Sequence, residues 1–225
     1  GWLNLVGLIA ILASVAYGCA TFLDLTLGTF SQTWLDGYSL KRTFLLFVVI
    51  LAISALINIF SSHLLAVLNN ISVWWHVIGA AAVILILFLV PKQHASFSDV
   101  FAKTINNSGM FGGATSGWGW LLFVLPISAI LTQYTITGYD ASAHLSEETK
   151  SAANASAKGI WRSIFYSAIG GWILLLSFLF AVQDPDHVSA SGGAVVTIFN
   201  QALPQSMVVL VLFGFVFGLI FLHRL

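Results

Sequence analysis

From Thr43 to Pro91 the chain carries no Asp, Glu, Lys or Arg. Drawn out as one helix, that run would extend roughly 70 Å, more than twice the ~30 Å hydrocarbon core of a bilayer. It therefore has to turn back on itself and hold two spans. The polar clusters Ser61-Ser62-His63 and Asn69-Asn70-Ile71-Ser72 mark the predicted break. One helix is expected from Thr43 to about Ser61 and another from about Val73 to Val90. The rest of the sequence agrees with a lipid solvent. Only 7% of residues are charged, against about 25% in an ordinary soluble domain. The class is an all-α polytopic membrane protein.

The remaining spans follow from the same rule. Trp2 to Leu23 is free of charge and reads as a first helix, and Asp24 to Arg42 as a polar connection. Residues 92–117 form a polar, glycine-bearing loop. Further spans are expected from Trp118 onward, from about Ile160 to Val182, and from Pro204 to Leu222, with residues 194–203 as a short interfacial helix. That gives about six transmembrane helices in a single transmembrane domain, 1–225. Trp2, Trp74, Trp75, Trp118, Trp120 and Trp161 fall near predicted span ends, as an interfacial aromatic belt would. Lys41, Arg42, Lys92 and Lys103 oppose Lys150, Lys158, Arg162 and Arg224, a tie that sets no orientation. Net charge is zero, which gives no reason to expect a nucleic-acid partner. Cys19 is the only cysteine, so no internal disulfide can form, and a buried, inert thiol is expected.

The segment from Trp118 through Lys150 would be about 50 Å as one helix, too long for an untilted span. Pro126 removes a backbone donor and should kink its first part. Thr135-Ile136-Thr137-Gly138 then combines three β-branched residues with a glycine, all weak helix formers. Thr137-Gly138-Tyr139-Asp140 fits a capping box, which would start a second half-helix and place Asp140 in its first turn. An interruption in lipid strands amides and carbonyls that protein, water or ligand must satisfy. Discontinuous helices of this kind build substrate sites in transporters. Asp140, His144 and Glu148 share a helix face beyond the break, with Glu147 beside them. That face suits an aqueous vestibule or a polar contact with neighbouring helices. For Glu147, Glu148 and Lys150 a solvated helix end is the simpler reading. A membrane metalloenzyme using Asp140, His144 and Glu148 is an alternative, weakened by the absence of an HExxH pattern.

The stretch Thr137-Gly138-Tyr139-Asp140, Ala143-His144-Leu145 and Glu147-Glu148 resembles the sixth-helix motif of the amino acid–polyamine–organocation superfamily. The nearest likeness is to its amino acid/choline transporter branch, with GABA permeases, choline permeases and bidirectional amino-acid permeases. The opening Gly1-Trp2-x-Asn4-x-x-Gly7 is similar to the start of that family's third helix. The resemblance implies helices 3 to 8 of a twelve-helix permease with a five-plus-five inverted-repeat fold. Residues 2–90 would belong to the first repeat and residues 118–222 to the second, with 61–72 and 140–159 cytoplasmic and 92–117 outside. Secondary active transport by alternating access is then expected, in the plasma membrane or an organelle membrane. The substrate would be an amino acid, GABA or a similar amine, with a coupled proton as an option and no cofactor. Thr135, Ile136, Thr137 and Gly138 would meet the substrate's amino or ammonium group. Gln133, Tyr134 and Tyr139 would line the pocket, Asp140 and His144 would form a gating or polar network, and Tyr17 and Gly18 could approach from across. The family's helix 1, which holds the substrate carboxylate, has no counterpart in these residues. A truncated, non-transporting product that binds a full-length partner is therefore a competing expectation.

Overall fold

The computed structural model describes residues 1–30, 39–60, 62–144, 146, 151–191 and 193–222. The helices are α1 Trp2–Phe30, α2 Leu40–Phe60, α3 Ser62–Leu89, α4 Phe97–Phe101, α5 Leu125–Tyr134, α6 Ala141–His144, α7 Ala152–Ala181, α8 Pro185–Ala190, α9 Ala194–Ala202 and α10 Gln205–Leu222. There is no strand among the described residues. Among the described residues four helices are long and apolar enough to cross a membrane, within Trp2–Gly28, Leu40–Ile59, Val67–Leu89 and Ala152–Ala181. Two shorter apolar helices, Trp120–Tyr134 and Gln205–Phe215, account for the other predicted spans.

The chain divides into two compact units. One holds α1, α2, α3, α9 and α10; the other holds α4 to α8. In the first unit Cys19, Ala20 and Ile50 form a buried cluster, with Leu23, Leu46 and Phe47 packed on it. The thiol is buried there, as expected. Phe199 of α9 is fully buried, and its ring lies 5.7 Å from that of Phe215 on α10. The predicted interfacial helix is therefore a structural element seated on α10.

Three expectations for this unit need correction. Residues 69–72 do not interrupt α3; they lie inside it. The helix absorbs the polarity of Ser72 locally, its hydroxyl and carbonyl oxygens lying 3.2 and 2.7 Å from His76 Nδ1, whereas Asn69 Oδ1 is buried with no hydrogen-bond partner among the described residues. The first part of the supposed break, Ser61, lies outside the described residues. Trp74 and Trp75 consequently sit well inside α3, not at its end. The Trp75 indole N–H donates to the Gly214 carbonyl of α10 at 3.1 Å, fastening two helices whose residues are far apart in sequence. Asp24 does not begin a connection either, because α1 continues past it to Phe30. Its side chain is 2% exposed and pairs with the Arg42 guanidinium on α2. Arg42 Nη2 donates to Asp24 Oδ2 at 3.1 Å, and the Thr43 hydroxyl donates to the same oxygen at 3.3 Å. The Thr21 and Thr26 hydroxyls donate to the carbonyls of Tyr17 and Phe22 one turn earlier, which satisfies them within α1.

In the second unit the loop 92–117 carries α4 and a tight turn at Met110–Gly113. Ser96 caps α4: its hydroxyl oxygen accepts from the Asp99 amide at 3.1 Å and donates to the Asp99 carboxylate at 2.6 Å. That hydroxyl holds the Asp99 carboxyl below the ordinary aspartate range. A carboxyl lowered on folding stabilises the cap above the ordinary value and loses that contribution as pH falls through the lowered one. Hydrogen-exchange protection of the first α4 amides should therefore fall below about pH 4. Ser96→Ala should produce the same loss at pH 7.

Pro126 lies within the continuous helix Trp120–Tyr134, and the irregularity expected there takes the form of a π-helical turn over Trp120–Val124, directly before the proline, in which the Leu125 amide reaches back to the Trp120 carbonyl. α7 runs unbroken from Ala152 to Ala181 and begins earlier than the predicted Ile160.

Candidate functional site

The helix that begins with the π turn stops at Tyr134. The chain coils openly over 135–140 and becomes helical again at Ala141. The interruption predicted at Thr135-Ile136-Thr137-Gly138 is thus present, and it extends through Tyr139 and Asp140. Its local logic is visible in the hydrogen bonds. The amides of Thr135, Ile136 and Thr137 reach the carbonyls of Thr132, Gln133 and Tyr134 at 3.2, 3.2 and 3.1 Å. These are tight 3₁₀-type closures, which end a helix. Gly138 then adopts φ +88°, a value that glycine reaches freely and L residues avoid.

This geometry changes which backbone groups face outward. The last carbonyls of α5 are occupied by those closures and by the Thr137 hydroxyl, which donates to the Gln133 carbonyl at 3.5 Å. Among the described residues, the amides of Gly138, Tyr139 and Asp140 have no hydrogen-bond partner, nor have the carbonyls of Thr135, Ile136, Thr137 and Tyr139. Three donors and four acceptors therefore stand together on a six-residue coil. In a low-dielectric setting each needs a partner from elsewhere in the protein, from water or from a ligand. Carbonyl oxygens suit an ammonium group and amides suit a carboxylate.

The predicted second half-helix starts later than the capping-box pattern implied. Thr137 does not cap it; the Asp140 carbonyl accepts the amides of Ala143 and His144, at 2.8 and 3.3 Å. Asp140 therefore precedes α6. The glycine at φ +88° carries the chain out of helical geometry between Thr137 and Asp140, which the pattern alone could not foresee. Asp140 Oδ2 and His144 Nε2 do meet, 3.3 Å apart and each about half exposed. So the structure brings together the two residues assigned to a polar network. Glu147, Glu148 and Lys150 lie outside the described residues. Among the described residues no cluster of three or more His, Cys, Asp or Glu could hold a metal ion.

The tyrosines flank the coil and are accessible, Tyr134 at 47% and Tyr139 at 46%. Gln133 is also exposed, in the final turn of α5. Tyr17 lies in the first unit, edge-on to Phe47 with ring centroids 6.5 Å apart. Sequence reasoning missed Gly171: a Cβ built on it would run into the Thr135 side chain.

Four long apolar helices among the described residues define an integral multi-pass membrane protein, and a shorter apolar helix ends at Tyr134 in the coil described above. The sequence matches the family described as "Amino acid permease" over residues 1–223, and the chain belongs to that family. It is similar to "Amino-acid permease BAT1" of Arabidopsis thaliana, 32% identical over 213 residues, covering 90% of this chain and 40% of that protein. It is similar to the BAT1 homolog of Oryza sativa subsp. japonica, 31% identical over 212 residues, covering 90% and 39%. A shorter match, 37% identical over 92 residues, covers 41% of this chain and 14% of "Thiamine transporter thi9" of Schizosaccharomyces pombe. The chain thus spans about two fifths of the length of these two permeases. These names are of permeases and transporters, not enzymes. No solved structure matches the chain at a significant level.

Proposed function

We propose that these residues form the broken-helix half of a substrate site in a secondary amino-acid transporter, working by alternating access. The observation that carries this reading is the coil at 135–140, where seven backbone groups lack partners among the described residues, in a chain of the amino acid permease family. The carbonyls of Thr135, Ile136 and Thr137 receive the ammonium group of an amino acid, GABA or a similar amine. The amides beyond Gly138 are suited to negative charge. Gln133, Tyr134 and Tyr139 line the approach. Asp140 and His144 form a polar pair beside the coil, placed where a coupled proton could be exchanged. Residues 2–90 and 118–222 supply helices of the two inverted repeats, and the rest of the complete permease supplies the opposite wall.

The test is uptake and exchange in liposomes holding the complete permease that carries this chain. Radiolabelled GABA, neutral and cationic amino acids, choline and thiamine form the panel, with and without a pH gradient. Saturable accumulation of an amino acid or GABA is the expected result. Uptake of thiamine or choline alone would overturn the substrate class, and no saturable uptake of any of them would overturn the transport reading.

A further inference from the structure

We propose that Gly171 and Gly159 of α7 are positioning residues that set the course of the open coil and of α6. The proposal rests on the reading of 135–140 as a substrate site and names what holds that site in shape. A Cβ on Gly171 would fall inside the envelope of the Thr135 Cγ2 methyl group, at the residue that ends α5. A Cβ on Gly159 would lie 2.9 Å from both Cβ and Oγ of Ser142, in α6. The two glycines are twelve positions apart, about 18 Å along α7. α7 therefore touches the chain on both sides of the unpaired segment and at no spare distance.

The second contact is reinforced by hydrogen bonds. The Ser142 hydroxyl donates to the Ser156 carbonyl at 3.3 Å, and the Ser156 hydroxyl donates to the Ser142 carbonyl at 2.9 Å. This reciprocal pair fixes α6 against the start of α7. The neighbouring Gly170 supplies a contrast within one turn: a Cβ there meets nothing within 4 Å. The close fit is a property of position 171, not of a glycine-rich stretch. The carbonyls that lack partners among the described residues can present a defined geometry to a ligand only if the coil bearing them is held, and that of Thr135 is the first of them.

The experiment uses the complete permease in liposomes with G171A, G170A, T135S and the double variant G171A/T135S. Serine lacks the methyl group that the new Cβ would strike. Overpacking at a close contact displaces its neighbours. The expected result for G171A is a rise of about tenfold in KM at similar abundance, the equivalent of about 1.4 kcal/mol. G170A should leave KM within about twofold of wild type, and T135S should return the double variant to the KM of T135S alone. A fall in abundance with KM unchanged, equal effects of G170A and G171A, or no restoration by T135S would each overturn the proposal.

A readout that needs no transport separates failure of this proposal from failure of the transport reading. Thr137→Cys, with other reactive thiols replaced, reports the coil through its rate of modification by a water-soluble thiosulfonate. G171A should change that rate at least about fivefold and T135S should reverse the change, whether or not amino acids are carried; an unchanged rate overturns the proposal. If G171A fails to accumulate, T135C/G171C decides. A Cβ at position 171 lies 3.6 Å from Thr135 Cβ, within the span of about 3.5–4.5 Å that a disulfide bridges. Formation of that cross-link on mild oxidation supports the contact, and its failure to form overturns it.

Discussion

Gly138→Leu should reduce amino-acid uptake by the complete permease to about 1% of wild type or less while leaving the amount of protein in the membrane unchanged. The reasoning is conformational. At φ +88° an L side chain strains the backbone by roughly 1–3 kcal/mol, and each 1.4 kcal/mol is about a factor of ten. A residue that refuses this φ tends to restore helical geometry, which would pair the carbonyls of Thr135, Ile136 and Thr137 with amides in the chain and withdraw them from a ligand. Space is not the obstacle, since a Cβ on Gly138 meets no atom within 4 Å. That predicts an unusual order. Gly138→Asn should retain more uptake than Gly138→Ala, although asparagine is larger, because asparagine tolerates positive φ better. Initial rates and surface abundance, measured together, give the order. Alanine outperforming asparagine, or leucine transporting normally, would remove Gly138 from the site.

The second large effect is expected at the pair Asp24 and Arg42. Arg42→Leu should destabilise the protein by on the order of 3 kcal/mol, because it leaves a carboxylate that is 3% exposed without its cation. Asp24→Leu should be milder, since the Arg42 side chain keeps 25% of its surface in contact with solvent and can turn outward. The double replacement should recover most of the loss, as an apolar pair of similar volume often matches a buried ion pair. Thermal unfolding midpoints of the four proteins in detergent form the double-mutant cycle. Additive losses in the cycle would mean that the two side chains act independently.

Much of the fold could be read from charge-free length alone, because lipid admits few alternatives to a helix. Every apolar run expected to be a span is helical. The break was readable too, since three β-branched residues and a glycine weaken a helix whatever surrounds them. What the sequence could not carry was tertiary pairing. Asp24 looked like the edge of a connection because its partner is eighteen residues away on another helix. Asn69 and Asn70 looked like a break because polarity inside a span is usually avoided, yet α3 runs through them, although the Asn69 side-chain oxygen is buried with no hydrogen-bond partner among the described residues. Trp75 looked interfacial, and its indole is instead satisfied by a carbonyl on α10. The start of α6 slipped past Thr137 because a cap depends on the φ of the residue after it, and Gly138 turns the chain the other way.

The Asp24–Arg42 pair has an electrical consequence. Membrane potential does work on net charge, about 2.3 kcal/mol per elementary charge moved across 100 mV. A carboxylate and a guanidinium joined side by side present almost no net charge to that field. Helices α1 and α2 can shift together through the voltage drop without this pair adding to the work. Any current or voltage dependence of the permease then has to come from the substrate, a co-transported ion or charges elsewhere.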